Sequence, residues 1–298
     1  PEHAEQLFDL VGHLMRGLPA MEGDEERRQL AGLALIAGHR ARASAAFESA
    51  FLFYESGLKA LGETRWETTY ELSRDLCAGA IPSAWIAGEP DAMEARASEL
   101  LKHARTLADE IPAWVTRLRM LCAADRFPEA VDHANTFLAR TGTPVPRSGS
   151  RLAVLSAFLR TRALIGRRTP EQLRDMPRTE DPVASAVQVV QSLVAPAVLL
   201  ARPDLIATMV LRDVRTILRD GISAAGTMAW TGYAVILLAA FGNVPLSRRF
   251  STLAMAQVAS FDARDVQVRV TTILNVTVRL WTTPLADLVE PLRLNASQ

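Results

Sequence analysis

Short turn-forming stretches recur along this chain, each at a point where one helix must reverse direction onto the helix before it. They span residues 38–43, 88–93, 125–130 and 242–247, and begin at Gly38, Gly88, Asp125 and Gly242. Each combines a turn-forming residue, a few spacer residues and, in most copies, a small residue that opens the next helix. This pattern predicts antiparallel helix hairpins, and it constrains the fold more than any other feature of the sequence.

Three hairpins are predicted in the first half of the chain, where apolar residues recur at helical spacing. They pair residues 27–38 with 41–61, 66–87 with 91–109, and 113–124 with 128–140. In the first pair, Ala43, Phe47 and Ala50 show the small-large-small spacing of the second helix of a tetratricopeptide hairpin. The predicted fold class is therefore all-α, a tetratricopeptide-like α-solenoid of antiparallel helix hairpins with repeats of irregular length.

The expected organisation is a linker helix over residues 1–22, a first helical-repeat lobe over 23–141 and a second over 151–298. The break at 141–150 is inferred from its density of glycine, proline and serine and from the lack of an apolar period. Within the first lobe, Pro82 is expected to kink its helix. Residues 265–281 alternate valines as in a strand, but their apolar residues also share one helical face, which favours a helix.

Composition excludes several classes of function. Lysine plus arginine and aspartate plus glutamate number 33 each, and a chain of zero net charge is a poor candidate for general nucleic-acid or anionic-membrane binding. Cys77 and Cys122 lie far apart, which predicts buried thiols in a reducing, cytoplasmic compartment. The charge-free stretches 183–201 and 222–246 contain Pro196 and several glycines, and are interpreted as buried solenoid helices rather than membrane spans. The chain starts at Pro1 without a methionine, so it is expected to be a piece of a longer protein.

Motifs for catalysis or metal binding are missing from the sequence. It contains neither the phosphate-binding GxxxxGK[ST] loop nor GxGxxG, HExxH or GxSxG, and its five histidines are isolated. A protein without enzymatic activity, cofactor or metal is therefore predicted.

Aromatic and charged residues in the first lobe suggest a peptide-binding groove. The first helix of each tetratricopeptide pair lines the concave face of the array, where peptides lie. The candidate groove residues are Trp66, Tyr70, Asp75, Trp85, Trp114 and Arg119. The alternative is that these aromatic residues pack between neighbouring hairpins.

The apolar stretch of the second lobe, residues 183–241, suggests a different site. Met209, Met228, Trp230 and Tyr233 are candidates for the lining of a small-molecule pocket, and a well-packed core is the alternative. A deep pocket with a few convergent polar groups would favour a receptor. A filled core beside an open groove in the first lobe would favour a protein scaffold.

Several segments of the chain resemble a known family. Residues 27–47, 53–61, 66–72 and 87–95 are similar to the helical-repeat region of large bacterial signalling proteins, and residues 8–17, 261–264 and 281–285 also resemble parts of it. These proteins combine a serine/threonine-kinase-like domain, a signal-transducing P-loop ATPase of the STAND class, helical repeats, a GAF domain and often a sensor histidine kinase. Pro82 and Pro90 depart from the family pattern.

The resemblance implies a non-catalytic regulatory or sensor region. Such a region would bind a protein or peptide and relay that binding to the adjoining domains of the parent chain, and the alternative is a small-molecule inducer in the second lobe. Self-association into a homodimer through the open ends of the solenoid is a further expectation.

Overall fold

The computed structural model describes residues 2–21, 23–281, 283–284, 286–289 and 293. This described part is all-helical, and its single β-bridge joins Arg178 to Ile222 outside any strand. The chain divides into two compact units, Pro1–Met120 and Leu121–Gln298. The division lies about twenty residues before the predicted break at 141–150, which therefore falls inside the second unit.

The first unit holds six helices and most of a seventh within its described residues. They are α1 (Glu2–Gly17), α2 (Asp24–Ala43), α3 (Phe47–Leu61), α4 (Arg65–Thr68), α5 (Tyr70–Ala87), α6 (Pro90–His103) and α7 (Leu107–Ala123), the last of which ends beyond the boundary. Helix α2 packs on α3, α3 on α5, and α5 on α6. The core between them is formed mainly by leucine and alanine, which allow the helices to approach closely.

The second unit continues with α8 (Phe127–Arg140), α9 (Arg151–Ile165), α10 (Pro170–Leu173), α11 (Pro182–Ala201), α12 (Ile206–Asp220), α13 (Thr227–Ala239), α14 (Val244–Val258) and α15 (Arg264–Val276). Helix α11 packs on α8, α12 on α9, and α13 on α14. The centre of its core is an aromatic cluster in which Tyr233 meets Phe250 edge-on at 4.8 Å and Trp230 lies 5.4 Å from Phe250. The helix expected over 265–281 is confirmed over α15.

Three of the four predicted turns are confirmed. Gly88 (φ +82°) ends α5, and Gly242 (φ +60°) precedes α14, both in left-handed backbone that glycine adopts without strain. Asp125 takes the same conformation (φ +55°) between α7 and α8. Pro90 lies in the first turn of α6, where its missing N–H costs no hydrogen bond.

The fourth prediction, a turn at Gly38, is wrong. Helix α2 continues through Gly38 to Ala43, and the chain reverses at Ala45 (φ +58°) instead. Gly38 is buried against Tyr54 of α3, and a Cβ atom added there would lie 2.5 Å from Cε1 of that ring. This glycine therefore permits close approach of two helices, and the turn is formed by the following serine and alanines.

The segment 141–150 is an ordered loop of the second unit. Asn135 Oδ1 accepts a hydrogen bond from the Val145 N–H at 2.9 Å, and Arg212 Nη1 donates to the Thr143 carbonyl at 3.0 Å. Gly149 lies against the backbone of Asp204, where a Cβ atom would overlap the carbonyl oxygen. Its glycine and proline content thus reflects tight packing of an irregular loop.

Candidate functional site

The second unit encloses a partly open cavity of about 310 Å³. Three helices form most of its wall: α11, α12 and α13, with Ile273 of α15 at one side. Each helix contributes one stripe of residues at helical spacing. On α12 this stripe consists of Ile206, Ala207, Val210, Asp213 and Ile217. The stripe of α11 is Gln188, Gln191, Ser192, Ala195, Pro196 and Leu199, and that of α13 is Met228, Ala229, Thr231, Gly232, Val235 and Ile236.

Gln188 holds the loop that closes one end of the cavity. Its Nε2 donates to the Gly221 carbonyl at 2.8 Å, and its Oε1 accepts from both the N–H and the hydroxyl of Ser223 at 2.8 Å. Gly226 must be glycine for this clamp, because a Cβ atom would lie 2.1 Å from Gln188 Oε1. The amide therefore satisfies the backbone of the loop 221–226 before α13 begins.

Asp213 is the charged residue of the lining. It is 7% exposed, and Arg212 Nε and Nη2 donate to its Oδ1 at 3.1 and 2.9 Å. Both bonds end on the same oxygen, so Oδ2 makes no hydrogen bond to any residue the structure describes. Burial raises the pKa of the Asp213 carboxyl, against the opposing charges of Arg212 and Arg215.

Arg212 is fixed from the other side by the loop 141–150. Besides its bonds to Asp213, its Nη1 donates to the carbonyls of Thr143 and Pro144. A buried guanidinium with several donors satisfied in this way holds its planar group in one orientation. The orientation of the Asp213 carboxylate is therefore set by a network that the loop completes.

Two further polar residues of α11 line the cavity. Gln191 is 3% exposed, and its Nε2 lies 3.5 Å from Thr216 Oγ1, a weak contact. The Ser192 hydroxyl accepts from Arg269 Nη2 at 3.2 Å. The cavity is therefore apolar over most of its surface, with buried polar groups converging from α11 and α12.

One of the four predicted pocket residues, Met228, lines this cavity. Met209, Trp230 and Tyr233 are fully buried in the core outside its lining, and this corrects the predicted set. The reason is that the aromatic side of α13 packs against Phe250 of α14, while the small residues of the same helix border the cavity. The polar lining residues were missed, although Gln188, Gln191 and Ser192 stand out by their i, i+3, i+4 spacing in a charge-free helix.

Among the predicted groove residues, Trp66 takes part in an internal network of the first unit. Its Nε1 donates to Glu99 Oε1 at 2.8 Å, and its ring stacks on His103 at 4.8 Å. Arg65 donates to the same carboxylate oxygen, and Arg96 Nη1 donates to the other one. Although burial opposes it, these hydrogen bonds lower the pKa of Glu99. Trp66 thus packs between helices, as the alternative interpretation proposed.

Tyr70 has a similar structural role. Its hydroxyl donates to Asp109 Oδ2 at 2.9 Å and accepts from the Arg105 N–H at 2.9 Å, while the Arg105 guanidinium lies 3.7 Å from the ring centroid. The tyrosine therefore joins the start of α5 to the start of α7.

The remaining groove candidates do not converge on one site. Asp75 is ion-paired with Arg74, and Trp85 packs against the core. Trp114 Nε1 donates to Glu110 Oε2 within its own helix at 2.8 Å, and Arg119 is exposed.

Within the described residues, no cluster of three or more histidine, cysteine, aspartate or glutamate side chains is placed to bind a metal. Helix α11 is long and apolar enough to cross a membrane by length and composition, and half of that apolar stretch is buried inside the unit. The core helix of a soluble protein meets the same criterion.

No protein-family model matches this chain, and no curated protein or solved structure is significantly similar to it.

Proposed function

We propose that the second unit is a receptor for a small apolar molecule. The observation that carries this proposal is the cavity between α11, α12 and α13, in which an apolar wall meets a few buried polar groups. Such a combination is typical of small-molecule sites, since apolar contacts supply affinity and a few polar groups fix orientation.

The size of the cavity limits its ligand. An engineered apolar cavity of ~150 Å³ binds benzene. The present cavity, at about 310 Å³, has roughly twice that volume and suits a molecule of about two fused rings or a comparable aliphatic skeleton. Leu199 and Pro196 are exposed at its edge, so a ligand would enter between α11 and α12.

The proposal extends to the context of the receptor. The helix pairs α2/α3, α5/α6 and α13/α14 support a tetratricopeptide-like arrangement, and the resemblance to helical-repeat regions of STAND-type signalling proteins suggests a non-catalytic sensor. Two free cysteines are consistent with a reducing compartment such as the cytoplasm. A ligand would regulate adjoining domains by binding one arrangement of the repeats more tightly than another.

Filling the cavity tests the receptor proposal. Ala195 lines the wall and lies on α11, so Ala195→Phe should occupy the ligand's space. Leu200→Phe is the matched control, because Leu200 lies on the same helix and is 64% exposed. Calorimetric titration with naphthalene should show binding to the wild type and to the control, with at least a tenfold loss in Ala195→Phe. Failure of naphthalene and of the related two-ring probes to bind the wild type would refute the receptor.

A second candidate function is protein binding, and helix α9 favours it. This helix buries Ala157, Thr161 and Ile165 against the unit but exposes a row of leucines on its other side. The exposed leucines of this row are Leu152, Leu155 and Leu159. Between Asp132 and Glu171 the chain contains seven arginines and no acidic residue. An apolar row with basic flanks complements an amphipathic helix with acidic flanks, which an adjoining domain or another protein would supply.

Replacing two leucines tests this second candidate. Leu155→Gln with Leu159→Gln should abolish capture of a designed acidic amphipathic helix, while the exposed Ile86→Gln of the first unit should leave it unchanged. Equal capture by both variants, or capture of anionic lipid vesicles in place of the acidic helix, would contradict the proposal.

A further inference from the structure

The buried hydrogen-bonding groups that face the cavity differ in how well they are satisfied. Gln188 uses its carbonyl and one amide hydrogen on the loop 221–226, and the Thr231 hydroxyl donates to the Thr227 carbonyl within α13. Asp213, by contrast, has one carboxylate oxygen held by Arg212 and another without a partner in the described part of the chain. This second oxygen is not one of the fully buried unpartnered atoms, so it keeps some accessible surface through which a donor can reach it.

Gln191 adds a second acceptor to the lining. The Thr216 hydroxyl donates its proton to the Arg212 carbonyl at 3.3 Å, so it can only accept in its contact with Gln191. Gln191 must therefore present Nε2 to Thr216, and its Oε1 has no hydrogen-bond partner in the described residues. Asp213 Oδ2 and Gln191 Oε1 are thus two acceptors of lining residues without a hydrogen-bond partner in the described part of the chain.

The position of Asp213 makes it a recognition group. It lies on the lining stripe of α12 among Ile206, Val210 and Ile217, and it is more than nine-tenths buried. The Arg212 bonds to Oδ1 fix the carboxylate plane, so the Asp213 carboxylate offers an acceptor in a defined place on a mostly apolar wall. Because Arg212 offsets the negative charge, a neutral donor suffices.

We propose that this pocket selects an apolar two-ring or similar molecule that carries one hydroxyl or amino group, and that this group donates a hydrogen bond to Oδ2 of Asp213. The inference rests on the receptor function proposed above and specifies its ligand class. A ligand with only an acceptor, such as an ether, leaves the oxygen unpaired. A carboxylate ligand adds repulsion between two acceptor groups in a buried site.

Matched naphthalene derivatives test the ligand class on the unmodified full chain. Naphthalene measures the apolar contribution, 2-naphthol adds a donor, and 2-methoxynaphthalene retains the oxygen without its hydrogen. Calorimetric titration should show 2-naphthol binding about tenfold more tightly than 2-methoxynaphthalene, as a hydrogen bond to a charged group predicts. Because this comparison needs no variant, it stands even if substitutions impair folding.

The substitution Asp213→Asn provides a sharper test. Its side-chain oxygen can keep accepting from Arg212, which turns the NH₂ group toward the cavity and replaces an acceptor by a donor. We expect the preference to reverse, with 2-methoxynaphthalene binding more tightly than 2-naphthol and naphthalene unchanged. A purely structural role of Asp213 would weaken all three probes equally.

The outcomes separate the two proposals. If no probe binds the wild type, the receptor proposal itself fails. If all three bind the wild type with equal affinity, the pocket stands and the donor-bearing ligand class is overturned. Equal loss of all three probes in Asp213→Asn, without a reversal of preference, also overturns it.

Discussion

Replacing Gly38 by alanine should destabilise the first unit, although the same change elsewhere in the same helix should stabilise it. An alanine in a helix interior is favoured over glycine by ~1 kcal/mol. At Gly32, also in α2, nothing lies within 4 Å of an added Cβ atom. Gly32→Ala should therefore raise the free energy of unfolding by that amount. At Gly38 the added atom would lie 2.5 to 2.8 Å from three atoms of the Tyr54 ring.

The magnitude follows from how little the ring can move. Tyr54 is fully buried, and Gly79 of α5 confines its other side, where a Cβ atom would lie 2.4 Å from Cζ. Carbon atoms pack at ~3.5–4.0 Å, so the new methyl group overlaps the ring by about 1 Å. Overpacking in a closed core costs ~1–3 kcal/mol, and the confined ring favours the upper part of that range. Alanine's higher helix propensity offsets part of this cost. We therefore expect Gly38→Ala to lower the free energy of unfolding by about 2 kcal/mol.

Urea unfolding followed by circular dichroism would measure these changes, with Gly32→Ala as the matched control. Adding Tyr54→Leu to Gly38→Ala removes the ring that the methyl group meets, so the double variant should show a coupling free energy of about 2 kcal/mol. If Gly38→Ala raises stability as Gly32→Ala does, Tyr54 does not occupy the space between the two glycines and the description of this core is wrong.

Three other predictions concern single side chains. Gln188→Leu leaves loop donors and acceptors buried without partners, so it should lower the free energy of unfolding by about 3 kcal/mol in urea titrations; a loss below about 1 kcal/mol would contradict the clamp. The Tyr54 hydroxyl is buried without a partner in the described residues, so Tyr54→Phe should leave the free energy of unfolding unchanged or higher. Tyr70→Phe removes the hydrogen bond to Asp109, so it should lower the free energy of unfolding by about 1–2 kcal/mol in the same assay. Burial raises the pKa of Cys77 to about 12, so iodoacetamide at pH 8 should modify the half-buried Cys122 first and Cys77 only after unfolding, as followed by mass spectrometry.

Most helices could be predicted from the sequence because their signals are local. Apolar spacing and turn residues are read within a few positions, and Gly88, Asp125 and Gly242 occupy turns as expected. The predicted helix boundaries were wrong where the same sequence pattern can arise for two different physical reasons. The sequence 91–109 is predicted to form one helix, but the chain leaves helical geometry after His103. Asp109, in the first turn of α7, accepts hydrogen bonds from the N–H groups of Arg105 and Thr106, which precede that helix.

The cavity shows a different limit of sequence interpretation. Its general location within residues 183–241 follows from apolar, charge-free segments, but three of the four large side chains chosen as lining lie outside it. Large residues such as Trp230 fill space, whereas small ones such as Ala195 and Ala229 line the cavity. A helix has a face of large residues and a face of small ones, and the neighbouring helix determines which face borders empty volume. The sequence of one helix does not contain that information.

The misplaced turn at Gly38 and the omission of the polar lining residues have one physical reason. From a single sequence, a glycine is interpreted as the end of a helix, and a glutamine or aspartate is expected to be exposed. In the folded chain, Gly38 and Gly79 make room for a tyrosine ring, and Gly226 makes room for the Gln188 amide. Asp213 is held inside by Arg212, whose guanidinium is itself held by the loop 141–150. The glycines are compensated by partners distant in sequence, and the Arg212–Asp213 pair by the distant loop 141–150, so such residues indicate where helices meet and where a ligand can be recognised.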